Sequence, residues 1–487
     1  MLNVHLRITD AATRRPTPVR VRVAAADGTP FPPLGWPADF PTGRNEDVGG
    51  RLKLGRDRWW YIDGACEVPL PAGVPLRVQA AKGPEFTPLD ETVTLGPGQI
   101  AVRLAISRWA DARADGWARV DTRCHFLAPH AALLEARAED LDAANLLAVP
   151  FPVLAGDANT YTTTPNLPAF SGQVPAVERD GSSVVVNTFN AHPVLGKVAL
   201  LNSHRPVFPL AFGGDVTDDW GVCDWCDQCH RKNGLTVWVD AFEPAGGVTG
   251  GEALVAAVLG KIDAIEVSHG RRKVPLLPWV YRLWDAGVMV PLVGASGKDS
   301  NKAALGDVRT YAEVGIPAPG TATTCWPDAV RAGRTFVTAG PLLALSSNDR
   351  TITAAARSRS FFGKIEILAD GEVIATQESA DGMPFTATVT AACPDATAWV
   401  AARCMTVDGV FRASGPMTTP GAVFSAHTSP RLLGSAARNP AAVAAVRKLI
   451  GQVCEWAERH GRFANPKRKD ALLDRCADAA RRLGAAP

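Results

Sequence analysis

The sequence predicts a multidomain chain of mixed class: an α/β barrel flanked by N- and C-terminal β-sandwich domains, with a helical tail at the end. Three observations predict it. At 487 residues the chain has room for roughly three domains of about 150 residues each. Its hydrophobic pattern changes twice, from short alternating runs to apolar runs interleaved with helical stretches, and back to alternation. Gly (44) and Pro (38) are spread along the chain, which is 46% hydrophobic and 21% charged, and this fits folded structure rather than disorder or a coiled coil. A net charge of +2 gives no reason to expect nucleic acid or an anionic membrane as partner. No apolar run is long enough for a bilayer. MLNVHLRITD reads as a strand rather than a secretory signal, and ten unevenly spaced cysteines fit reduced thiols, so a cytoplasmic location is expected.

Residues 1–108 are written as an antiparallel sandwich. Leu2, Val4, Leu6 and Ile8 alternate with Asn3, His5 and Arg7, and Val19, Val21 and Val23 alternate with Arg20 and Arg22 ahead of an Asp27-Gly28 turn. PFPPLGWPADFP (30–41) is a loop, because proline removes ladder donors. Residues 109–340 carry the α/β pattern, and six apolar runs end in polar residues. WARV ends in DTRCH (121–125), SVVV in NTFNAH (187–192), VALL in NSH (202–204), LTVWV in DAFE (240–243), DAIEV in SHGRRK (268–273) and VMVPLV in GASGKDSN (294–301). Parallel strands deliver their carboxyl ends to one face, so all six endings are expected to converge on one mouth. Residues 341–432 return to alternation, with KIEILADGEVIAT turning at Asp370-Gly371. In the tail, 433–487, Asn439 caps a helix begun by Pro440 with Val443, Val446, Ile450, Val453 and Ala457 on one face, and a second helix covers 467–483.

Together these segments resemble the CehA/McbA-type metallohydrolases of the PHP (polymerase and histidinol phosphatase) superfamily. GWARVDTRCHF, AEDLDAANLL, GKIDAIEV and LPWVYRLWDAGVMVPLVGASG followed by LGDVRTYAEV are similar to its barrel. ITDAATRRPTPVRVRV and WWYIDGACEVPLPAG are similar to its accessory β domain, and AGPLLAL and AHTSP to its C-terminal β domain. The resemblance implies a PHP-like α/β barrel and a hydrolase that uses divalent metal (Zn, Mn or Fe) on a small anionic molecule, a phosphate or related ester. The family opens its site with Asp-x-His-x-His. Here Asp121-Thr122-Arg123-Cys124-His125 keeps Asp121 and His125 and puts Arg123 at the first histidine, Asp240 stands at the late-histidine position, and Gly297 stands where an aspartate is expected. Asn190 and Lys197 fall near the family's Glu and His positions. The implied metal ligands are therefore His125 and Asp240, with Asp121 beside them in the catalytic set. A hydrolytic metal takes about three protein ligands and an open water position, and an arginine within that shell repels it. The alternative is a non-catalytic ligand- or partner-binding protein on a degenerate PHP-like barrel.

At the expected mouth, Arg123 and Lys298 are of the type that holds phosphate or carboxylate oxygens, with His192, His204 and Asp299 beside them. His125, Asp240 and Asp121 suit base or ligand work. The bland reading of the same residues is that loop ends satisfy backbone groups. CDWCDQCHRK has cysteine spacings known from zinc and haem sites, but it precedes LTVWV and reads as a helix with Cys223, Cys226 and Cys229 on a buried face, so no haem is expected. HGRRK (269–273) reads as an anion clamp or a solvated loop, and residues 157–173 as a lid. Glu135, Glu139 and Asp142 read as exterior charges, His427 as a packing residue, and Glu266 as a strand-end carboxylate in need of a partner.

Overall fold

Alternating apolar residues at the start of the chain fold into two facing sheets. Leu2–Asp10 lies between Ala65–Leu70 and Ala101–Arg108 in one, and Val19–Ala25 between Asp57–Ile62 and Pro75–Ala81 in the other. Val4, Leu6, Ile8, Val19, Val21 and Val78 fill the space between them. The computed structural model describes the chain except residues 44–46, 152–160, 163, 165, 269–272, 317–321, 349–350, 406–423, 435–437 and 485–487. Most of the HGRRK run and part of the expected lid lie outside the described residues.

Seven further strands lie side by side in chain order: Trp117–Cys124, Ala143–Ala148, Ser182–His192, Gly196–Leu201, Leu235–Val239, Ala264–Ser268 and Leu292–Ala295. The sheet rolls until the seventh strand meets the first. Thr122 Oγ1 donates to Gly294 O at 3.0 Å, Gly297 N to Arg123 O at 3.1 Å, and His125 N to Lys298 O at 2.7 Å. Small and β-branched residues fill the inner face, where Ala118, Val120, Leu147, Val237, Ala264 and Val293 form one apolar cluster with Trp326 of the helix Ala322–Arg331. Arg331 donates to Gly234 O at 2.8 Å, so this helix covers the end of the roll where the fifth strand begins.

Six of these strands are parallel and the fourth is not, since it pairs antiparallel with both neighbours. This corrects the expected convergence of six endings. The link from His192 to Gly196 is a hairpin, with Gly196 at φ +124°, and it is far too short for the crossover that parallel neighbours require. The NSH ending therefore lies at the opposite edge from the other five.

Past the roll the same sheet continues through Arg309–Glu313, Thr335–Thr338, Phe424–Thr428, Trp399–Met405 and Lys364–Ala369 to Glu372–Glu378. A three-stranded sheet, Leu342–Asn348, Thr351–Ser358 and Phe385–Ala392, packs over it around Phe362, Ile365 and Val400. Tyr311 and Phe336, from segments read as barrel, stack at 4.7 Å within this second sandwich core. The C-terminal helical pair spans Pro440–Arg459 and Pro466–Gly484. Asn439 Oδ1 accepts from Ala441 N and Ala442 N, as its capping position requires. Val446, Ile450, Val453 and Ala457 pack into the main core with the helix Val222–Arg231, where Cys223, Cys226 and Cys229 are fully buried and burial pushes their thiols up. Among the described residues no helix is long and apolar enough to cross a membrane.

The expected exterior charges are a further correction. Glu135, Glu139 and Asp142 are all buried. The N-terminal sandwich docks on the first two: Glu139 accepts from Arg20 at 2.6 Å and Tyr61 at 2.9 Å, and Glu135 accepts from Gly50 N at 2.9 Å, whereas Asp142 accepts from Arg119 and Arg113. Arg20 of VRVRV, written as part of a polar strand face, thus turns to Glu139 at the end of the first helix, while Arg22 stays within the sandwich, against Gln79 and Asp57.

Candidate functional site

The first and second strands change register between Asp121 and Cys124, the kind of irregularity that re-aims side chains. Upstream of it Ala118 and Val120 face the inner cluster, whereas downstream Cys124 packs outward with Ala144 and Leu146. Arg123 consequently faces inward at the carboxyl end of the roll. It meets Glu266, which follows the inward Ala264 by one pleat.

The Arg123 guanidinium makes a two-pronged ion pair, with Nε donating to Glu266 Oε2 and Nη2 to Oε1, both at 2.7 Å. Its Nη1 donates to His125 Nε2 at 3.2 Å, and His125 Nδ1 donates to Leu147 O at 3.2 Å. The tautomer that satisfies both contacts carries its proton on Nδ1, and Phe126 and Phe189 lie against the ring. Burial opposes the charge on Arg123, but Glu266, the Glu266 hydrogen bonds, Asp240 and Asp121 outweigh it and raise the guanidinium further. Gly297 makes the space, since a Cβ there would come within 2.9 Å of Arg123 Nη2, and its φ is +60°. The arginine at 123 and the glycine at 297 thus fit each other sterically.

Outside this pair lies a cavity of about 280 Å³ lined by His192, Lys197, Asp240, Glu243, Ser268 and Lys273, with Trp238 among its apolar walls. Lys197 Nζ donates to Asp240 Oδ2 at 2.7 Å. Asp240 takes φ +50°, in the left-handed region where Asp is among the tolerated residues. Lys273 N donates to the Glu243 carboxylate at 3.2 Å. Charges of both signs are thus presented to one half-open space.

The other sequence candidates are placed differently. Asp121 is fully buried and accepts from the backbone amides of Arg123, Ser296 and Gly306, which fixes the loop after the seventh strand, and burial raises its carboxyl against those bonds. Lys298 is also fully buried and turns from the mouth, donating to Ala303 O at 2.7 Å and lying 3.4 Å from Glu135. His192 borders the cavity with both ring nitrogens engaged: Nδ1 accepts from Leu195 N at 3.0 Å and Nε2 donates to Asp218 at 3.0 Å. Asp299 is half-buried on the loop beside Lys298. His204 is exposed at the far edge, where Lys232 O accepts from its backbone N at 3.1 Å. Asn190 spends its amide on Val207 O and Pro209 O. His427 is buried with Nε2 2.7 Å from the Tyr281 hydroxyl.

Of the sequence candidates, His192, Asp240 and Lys197 line the cavity, Arg123, His125 and Glu266 form a cluster of their own on which the Asp240 charge acts, and Asp121, Lys298 and His204 belong to neither. Lys273 is the described residue of the HGRRK run, read from sequence as an anion clamp or a solvated loop, and Glu243 closes the DAFE ending, where the sequence singles out Asp240 instead.

The donor set does not match the divalent ion that the resemblance implies. Glu266 and His125 both face a guanidinium, Asp240 faces an ammonium, and among the described residues no group of three or more His, Cys, Asp or Glu is arranged to hold a metal. No family model, no curated protein and no solved structure matches the chain.

Proposed function

We propose that the rolled sheet is a divergent PHP-like α/β barrel whose mouth binds a small, polar, anionic molecule, with the Arg123 guanidinium in the place where relatives of the CehA/McbA kind would hold a metal ion. One observation carries this reading: Arg123 is gripped by Glu266 and His125 in a space that only a glycine at 297 leaves open. A charge built into the chain holds the Glu266 carboxylate as a cation would, but it has no exchangeable coordination site for water. Lys197 and Lys273, at the rim, are the groups that would meet the anion, with Asp240 and Glu243 opposing a second anion and favouring a ligand that also carries a donor.

The test combines elemental analysis with calorimetry. Wild type should keep less than about 0.1 equivalent of divalent metal after dialysis, and the double variant Arg123→His/Gly297→Asp should gain measurable affinity for Zn²⁺ or Mn²⁺. Phosphate or acetate binding should weaken about tenfold in Lys197→Ala, the scale of one charge-assisted hydrogen bond. A tightly held stoichiometric metal in wild type would overturn the proposal in favour of the hydrolase.

A further inference from the structure

A second cavity, of about 230 Å³, opens between the N-terminal sandwich, the loop after the seventh strand and the strand Thr351–Ser358. Arg20, Arg309 and Arg359 line it, opposite Phe86, Leu89 and Met383. Arg309 is 3% exposed, yet its partners are carbonyls: Nε donates to Gly306 O at 2.7 Å and Nη1 to Glu139 O at 2.8 Å, and among the described residues no carboxylate pairs with it. Arg359 is half-buried, and its buried Nε has no hydrogen-bond partner among the described residues.

Three acids also line the space, and two are committed elsewhere. Glu139 accepts from Arg20 and Tyr61, and Asp90 from Arg77 and Gln79. The third, Asp307, lies near enough to act on the charge of Arg20. Two guanidinium groups are left to face the cavity against at most one carboxylate. A cation out of water without a counter-charge costs several kcal/mol, so the site is poised for an anion. The apolar wall adds a preference for an anion carried on an organic body.

We infer that this cleft is a binding site, separate from the mouth, for a small organic oxyanion, a carboxylate or phosphate monoester joined to an apolar group. Arg309 and Arg359 grip the oxyanion, and Phe86, Leu89 and Met383 cover the apolar part. The ligand bridges residues from all three parts of the chain, so it also ties them together.

Calorimetry of the full chain with phenyl phosphate and benzoate tests this. At least one should bind wild type, more tightly than inorganic phosphate does, and should weaken about tenfold or more in Arg359→Ala and in Arg309→Gln. Arg359 is half-buried, so its variant remains informative if Arg309→Gln fails to fold. Absence of binding by both probes, equal binding by wild type and Arg359→Ala, or binding lost in Lys197→Ala at the mouth and kept in Arg359→Ala would each overturn the inference.

Discussion

Arg119 and Arg123 lie on the same strand, both desolvated, and they do opposite things. Arg119 points outward at the start of the roll, into an assembly of acids and bases: Asp140, Asp142 at 2.9 Å and Glu85 at 3.6 Å, with Arg108 and Tyr311 sharing Glu85 and Arg113 sharing Asp142. Glu85 and Arg108 come from the N-terminal sandwich, so this network fastens the sandwich to the roll. Arg123, turned inward by the register shift, has one carboxylate partner and a side chain 14% exposed, against 1% for Arg119. A network that shares each acid among several cations serves as a clamp. A single pair at the carboxyl end of the roll, within reach of the Asp240 charge, is the candidate site.

The largest effect expected from this contrast is on stability. Arg119→Met takes from Asp140 and Asp142 the buried cation they share, leaving them only the more exposed Arg108 and Arg113, and should cost about 3–5 kcal/mol, the range for breaking a buried ion pair, read as a lowered urea midpoint. Arg123→Met should cost less, about 2–3 kcal/mol, because one carboxylate rather than several loses a partner and the Arg123 side chain is already 14% exposed. Adding Glu266→Gln to Arg123→Met should return most of that loss, since the stranded charge disappears. Equal costs for the two arginines, or no recovery in the double variant, would erase the distinction between clamp and site.

The interface between sandwich and roll also has a pH signature. Burial raises the Glu135 carboxyl to about 7 from its ordinary 4.5, with Lys298 opposing the shift. Between those values the folded chain keeps a proton that the unfolded chain releases, so stability falls as pH rises through that window, and outside it the effect is flat. Glu135→Gln removes this proton exchange. Relative to the variant, wild type should lose roughly 2 kcal/mol between pH 5 and 7. Parallel stability profiles for the two proteins would mean that Glu135 is ionised throughout, its pair with Lys298 outweighing burial.

Much of this architecture is legible in the sequence, because alternation and helix caps are local. Val4, Leu6 and Ile8 form the core they spell out, Asn439 caps the helix it precedes, and the three clustered cysteines lie on a buried helix face. What escaped reading depends on contacts distant in sequence. Arg20 and Glu139 each look like surface charges until their segments meet. Glu266 was recognisable as a carboxylate in need of a partner, but nothing local names Arg123 as that partner, because the register shift that turns Arg123 inward is a property of two strands rather than one. The position of Lys298 just past a strand end points it to the mouth, whereas the chain there turns it back toward Glu135.

His204 provides the smallest effect and the sharpest check on topology. NSH follows an apolar run as NTFNAH and DAFE do, and only the short His192–Gly196 turn reverses the fourth strand and carries His204 to the far edge. The turn was signalled by Pro193 and Gly196 in NAHPVLGKV, residues that punctuate chains. An exposed histidine whose ring lies 3.2 Å from one backbone carbonyl has little to lose. His204→Ala should therefore change stability by less than about 0.5 kcal/mol and leave phosphate and acetate binding as in wild type, while Lys197→Ala, at the other end of the same strand, weakens it. If His204→Ala weakened anion binding as strongly as Lys197→Ala, the two ends of the fourth strand would have to share one pocket, and the antiparallel placement would fail with the assignment of the mouth.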